Sequence, residues 1–152
     1  NAVSKEWDEN WINVVTIRNA IKKITTKHTL LMMDSCWVGT SFMGKGNNNN
    51  KVDNEYTSTN YKIVKKALEN RAGIVISSGS TTSVLDTAVD NKHSLFAYKF
   101  IDILKKNKSF VTSRKIWVEL EDYHGGVKQT PQRYLVNSWG HLDGDFVFIP
   151  KK

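Results

Sequence analysis

The apolar positions along this chain fall into two kinds of run. Val14, Ile17, Ile21 and Ile24 recur at helical spacing, so "NVVTIRNAIKKI" predicts an amphipathic helix. "TLLMMD", Thr29 to Asp34, is a short continuous apolar run, as expected of a strand covered on both faces. Tyr61, Val64, Ala67 and Leu68 mark a second helix, and "AGIVISSG" a second buried strand. Ser94 is placed to cap a third helix, "LFAYKFIDILKKN", with Phe96, Phe100, Ile103 and Leu104 facing inward. Ile116, Trp117 and Leu120 predict a short fourth helix, "GVKQTPQRYLV" reads as irregular, and "GDFVFIP" predicts a closing strand stopped by Pro150.

Between these runs lie two polar stretches. "GKGNNNNKVDNEYTSTN", residues 44–60, cannot pack a core and reads as a flexible loop. "SSGSTTSVLDTAVDN" follows the second strand as another loop. Buried strands alternating with amphipathic helices predict α/β layers around a mostly parallel sheet. In open sheets of that kind, sites form outside the carboxyl ends of the strands. Asp34-Ser35-Cys36 falls at one such end and Ser77-Ser78-Gly79 at the other.

Size and composition narrow the picture a little. At 152 residues and 17.3 kDa the chain suits one domain, and no apolar run approaches the roughly 20 residues needed to span a bilayer. The net charge of +7 admits a nucleic-acid partner, but Lys22-Lys23, Lys65-Lys66 and Lys105-Lys106 fall on polar helix faces and no binding motif accompanies them. A single cysteine cannot form an internal disulfide, which fits a reducing compartment; a cytoplasmic setting is the expectation. Because the sequence starts at Asn1, it reads as a piece of a longer protein.

That cysteine, Cys36, carries the candidate chemistry. A lone cysteine beside an apolar run is most often an inert small hydrophobe. Against that, Cys36 follows the predicted strand, and Gly39, Thr40 and Ser41 keep its surroundings open. Backbone N–H groups at such a turn can stabilise an oxyanion. A C-x-x-C pair is absent, Phe42 stands where a cysteine phosphatase needs arginine, and no cysteine or histidine cluster has metal-ligand spacing.

"LLMMDSCWVG" resembles the nucleophile strand of the caspase-like cysteine peptidases, particularly their metacaspase-type and bacterial branches. The family pattern there is an apolar strand, then Asp-Ser/Ala-Cys-aromatic-Ser-Gly. "WINVVTIRNAIKKI", "AGIVISSGS", "HSLFAYKFIDIL", "QTPQ" and "GHLDGDFVFIP" follow in the family's order, so the likeness covers about 140 residues. Val38 departs from the pattern, where a small polar residue is usual, and so does the Asn-rich loop. The resemblance implies a three-layer sandwich lacking its N-terminal strands, with residues 1–152 a single partial peptidase domain. It implies Cys36 as nucleophile and a Cys-His dyad. No metal or other cofactor enters that chemistry, although calcium activates some members. Zymogen processing into two associated chains is common in the family.

The family's histidine belongs to a His-Gly pair upstream of the cysteine, roughly 50 residues before it in caspases. Only 35 residues precede Cys36. His28 stands eight strand residues away, roughly 26 Å, and is expected at the opposite edge of the sheet. His124-Gly125 follows the nucleophile in a polar turn, and His93 reads as supporting the turn before Ser94. His141 is the next candidate if the family reading is wrong. The expectation is therefore a histidine supplied by an N-terminal fragment of the same protein.

Asp34 sits two residues before Cys36, about 6–7 Å away on a shared face. The resemblance makes it the acid that selects Arg or Lys before the scissile bond; a carboxylate that merely ends the strand is the alternative. Asp86 and Asp90 are candidates for a second acid. Ser77 and Ser78 are candidates for binding the peptide backbone, or simply form the turn, and Trp37 either walls the site or packs. The function expected is a cysteine endopeptidase acting on protein substrates with a basic residue before the cut. A catalytically incomplete pseudo-protease, serving as an interaction scaffold with a regulatory partner, is the alternative.

Overall fold

The computed structural model describes residues 12–35, 42, 61–79, 92–124 and 130–151. Those residues build a mixed α/β arrangement with helices on both faces of a three-stranded sheet. Helix α1 (Val14–Lys22) is capped by Asn13, whose side chain accepts from the Val15 N–H at 2.8 Å. Strand β1 (His28–Met33) follows, then α2 (Tyr61–Glu69) and β2 (Ala72–Ser77). Helix α3 (Leu95–Lys106) leads through the short β3 (Val111–Thr112) into α4 (Ser113–His124). Strand β4 (Gln132–Leu135), a 3-10 turn (Asn137–Trp139) and β5 (Val147–Phe148) complete the order.

Strands β1 and β2 pair in parallel from His28↔Ala72 to Met33↔Ser77. Every residue of β2 is buried, because it has a strand on each side and helices on both faces. Alternation then divides the core. Ile74 and Ile76 face Phe96 and Ile103 of α3 and Ile116, Trp117 and Leu120 of α4, with Leu30 and Met32 packed alongside. Val75 faces the other way, with Phe42, Tyr134, Val136 and Trp139, and here Val14 and Ile21 of α1 close the layer. The Trp139 Nε1–H donates to the Arg18 carbonyl at 3.2 Å and ties that helix to the sheet.

The sheet is mixed, not mostly parallel. β4 pairs antiparallel with β2, from Ile74↔Leu135 to Ser77↔Gln132, within a stretch that reads as irregular. An edge strand of four residues needs no continuous apolar run, so Gln132-Arg133-Tyr134-Leu135 carries no strand signature. The fourth helix is also longer than expected, twelve residues, and the Trp117 Nε1–H anchors it to the Pro131 carbonyl at 3.1 Å. The closing strand β5 joins β3 in a separate two-stranded ladder instead of the main sheet. No helix among the described residues is long and apolar enough to cross a membrane.

A buried charge cluster stands beside the start of β2. Asp145, 2% exposed, accepts from the Ser113 hydroxyl, from the Phe146 N–H at 2.8 Å and from the Arg114 N–H at 3.3 Å. Its carboxylate also faces the buried Arg133 guanidinium at 3.6 Å. Gly144 lets this segment close in, since a Cβ there would lie 2.3 Å from the Asn70 carbonyl oxygen.

Candidate active-site edge

Parallel pairing of β1 and β2 brings their carboxyl ends side by side, which is where an open sheet can place a site. Past Met33 and Ser77 the two chains remain joined. The Ser78 N–H donates to the Met33 carbonyl at 2.9 Å, and the Ser78 hydroxyl reaches the Ser35 carbonyl at 3.5 Å. The Ser77 hydroxyl donates to the Gly79 carbonyl at 2.9 Å. Both serines are fully buried, and both hydroxyls are engaged within the edge.

Asp34 is exposed at this edge. Its carboxylate accepts a hydrogen bond from the hydroxyl of Ser94, sixty residues further along the chain. Ser94 is the N-cap of α3, where the same oxygen accepts from the Ala97 N–H at 3.0 Å. Asp34, Ser35, Ser77, Ser78 and Ser94 therefore converge on one edge from three elements. Cys36, Trp37, Asp86 and Asp90 lie outside the described residues, as do residues 44–60. Cys36 follows Ser35 directly in the sequence.

Two further residues at or near this edge escape a reading of the sequence. Ser94 is legible as a helix cap but not as the partner of Asp34. Tyr134 is buried opposite Val75, with its hydroxyl beside Ser77 yet making no well-formed hydrogen bond. Its burial pushes the phenol above its ordinary value, and Ser77 opposes that.

Comparison with models of known families, with curated proteins and with solved structures finds no match for this chain.

The histidines separate by edge. The His28 ring starts β1, and its Nε2–H donates to the Asn70 carbonyl at 3.0 Å, at the amino end as its spacing predicts. The Nδ1 of His141 accepts from the Gly73 N–H at 3.2 Å. Gly73 pairs with Thr29, four residues and roughly 13 Å from the Ser77 end, so His141 also belongs to the opposite edge. The candidate base His141 is thus kept from the Ser35 edge, and β5, the strand that follows it, pairs with β3 outside the main sheet. His93 adjoins Ser94 and lines a shallow groove of about 200 Å³ with Tyr98, Ile101, Asp102 and Lys105 of α3. His124 is the last residue of α4. Among the described residues, no three of His, Cys, Asp and Glu are grouped to hold a metal ion.

Burial, and then the neighbouring Arg133, pull His141 below its ordinary value; Asp143 and Asp145 oppose and Arg114 adds to the lowering. The hydrogen bond agrees, since Nδ1 accepts only when unprotonated. The unfolded chain thus binds the proton more readily than the folded one, so stability falls as pH drops below the unfolded value of about 6.5. The folded protein should therefore lose stability between pH 7 and 5. His141→Asn keeps an acceptor for Gly73 and cannot titrate, so urea melts of that variant should show a flatter pH profile. An unchanged slope would assign the dependence to other groups.

Proposed function

We propose that this chain carries the nucleophile of a caspase-like cysteine endopeptidase that cuts after Arg or Lys. The observation that supports it best is the position of Asp34: an exposed carboxylate, held at the carboxyl end of the parallel pair of β1 and β2, two residues before the only cysteine. In this reading Cys36 attacks the carbonyl and forms a thioester as the amine departs with a proton from an imidazole, which then activates the hydrolytic water. Backbone N–H groups at Cys36 hold the oxyanion. Ser78 holds its strand end against Ser35 and Ser77 closes the turn to Gly79, on the edge where this reading puts the bound peptide. Asp34 receives the basic side chain of the substrate. Trp37 and Asp86 join the substrate-facing side, with Asp86 as the second acid.

The imidazole comes from a segment outside these 152 residues. The outer edge of β1 supports this. Among the described residues β1 pairs only with β2, and all six of its residues are just partly buried, although four in a row are Leu or Met. An apolar strand edge that is unpaired among the described residues is suited to accept another strand. A parallel strand there would run about 4.8 Å from β1 and end beside Asp34 and Ser35.

Intact-mass analysis of the activated full-length protein treated with an arginyl acyloxymethyl ketone tests the proposal. A single adduct on the peptide containing Cys36 is the expected result, and it should persist in a His93→Gln variant. Lost labelling in that variant would assign the base to His93 instead. An absence of adduct in the activated parent protein would overturn the enzyme and favour a pseudo-protease scaffold.

A further inference from the structure

We propose that Ser94 is a positioning residue for the specificity carboxylate Asp34 and that it tilts the site toward arginine over lysine; this rests on the peptidase reading above. The geometry fixes the direction of the Ser94 hydroxyl. Its oxygen is committed to the Ala97 N–H at the start of α3, so a lone pair points into the helix and the proton is left for Asp34. An exposed aspartate ordinarily turns freely about its side-chain bonds. This one is anchored through one oxygen, Oδ2, to a group that is itself rigid, since α3 is fixed in the core by Phe96 and Ile103.

Among the described residues Ser94 is the one hydrogen-bond donor to Asp34, which leaves most of the carboxylate's acceptor capacity to a ligand, because an ionised carboxylate offers about four lone-pair sites. A guanidinium needs two of them, one on each oxygen, in one plane. An ammonium is a point charge that binds a carboxylate in almost any rotation. Fixing the carboxylate plane in advance therefore helps the planar fork far more than the point charge, since the ordering is already done before the substrate arrives. The two binding partners come from β1 and from α3, so the site inherits its orientation from the packing of the helix on the sheet.

The experiment separates this role from simple capping. Ser94→Gly removes the donor while remaining an acceptable N-cap, Ser94→Ala removes both functions, and Ser94→Thr keeps both. Labelling rates at Cys36 should be measured in the full-length activated protein with arginyl, lysyl and norleucyl acyloxymethyl ketones. In Ser94→Gly the arginyl rate should fall roughly tenfold, the scale of a hydrogen bond to a charged group, with the lysyl rate changed less and the norleucyl rate almost unchanged. Ser94→Thr should restore the arginine preference, and Ser94→Ala should lose it together with some thermal stability. An unaltered Arg-to-Lys ratio in Ser94→Gly, in a protein whose parent labels well, overturns this inference alone. A parent that labels with none of the three probes overturns the peptidase reading and this inference together.

Discussion

Replacing Asp145 by alanine should lower the unfolding free energy by about 3–5 kcal/mol, the usual effect of stripping a buried charge pair of one member. The carboxylate is 2% exposed and accepts hydrogen bonds from the Ser113 hydroxyl and from the Phe146 and Arg114 N–H groups. All three donors lose their partner at once. The Arg133 guanidinium, 3.6 Å away and itself buried, is left as a positive charge in the interior with no described carboxylate against it. Burial already pulls that guanidinium below its ordinary value, and Asp145 is the influence that opposes it. Asp145→Asn should be milder, since its oxygen still serves Ser113 and Phe146 while its amide turns a donor toward the Arg114 N–H. Urea unfolding followed by tryptophan fluorescence gives the comparison, with the slope checked for a constant value. If the loss comes mainly from the stranded charge, Asp145→Ala should be much less damaging in an Arg133→Met background. Equal losses in both backgrounds would shift the explanation to the three hydrogen bonds. Asp145 itself is held beside the start of β2, where its N–H donates to the Ala67 carbonyl, and takes no part in the contact between Asp34 and Ser94, so Cys36 labelling should be unaffected at temperatures where the variant is folded.

The same cluster shows where reading a sequence stops. "GHLDGDF" gives no sign that Asp145 is buried, because Asp143, Gly144 and Asp145 read as a polar turn ahead of the apolar "FVF" run. Its burial follows from Ser113, Arg114 and Arg133, which arrive from elements 12 to 32 residues away and cannot be paired from spacing. β4 is hidden for a related reason: its Arg133 faces the core side of the sheet, and among the described residues Asp145 is the carboxylate that makes that tolerable. β1, β2 and α3, by contrast, are legible because each signal is local. Two continuous apolar runs mark the strands, and Ser94 followed by Phe96, Phe100, Ile103 and Leu104 marks a capped, one-sided helix. The candidate edge divides along the same line. Its strand ends follow from those runs, whereas the link from Asp34 to Ser94 spans sixty residues and is set by how α3 packs on the sheet.

Asp34→Asn should reduce labelling of Cys36 by an arginyl electrophile about a hundredfold while leaving the fold intact. Asparagine has almost the shape of aspartate, and its Oδ1 can still accept from the Ser94 hydroxyl that holds Asp34. What disappears is the negative charge and the second acceptor, so a guanidinium loses its bidentate partner. Hydrogen bonds between charged groups contribute about 1.5–3 kcal/mol, and each 1.4 kcal/mol is roughly tenfold in rate or affinity. Because Asp34 is exposed and lies just past the end of β1, the melting temperature should barely move. A norleucyl electrophile fills the same space without charge, and its labelling rate should change less than threefold. The contrast between the two probes is the decisive quantity. A uniform drop for both would mean that Asp34 supports the backbone of the nucleophile instead of reading the substrate. Equal rates in parent and variant would mean that the carboxylate only ends the strand, and the preference for basic residues would have to come from somewhere other than Asp34.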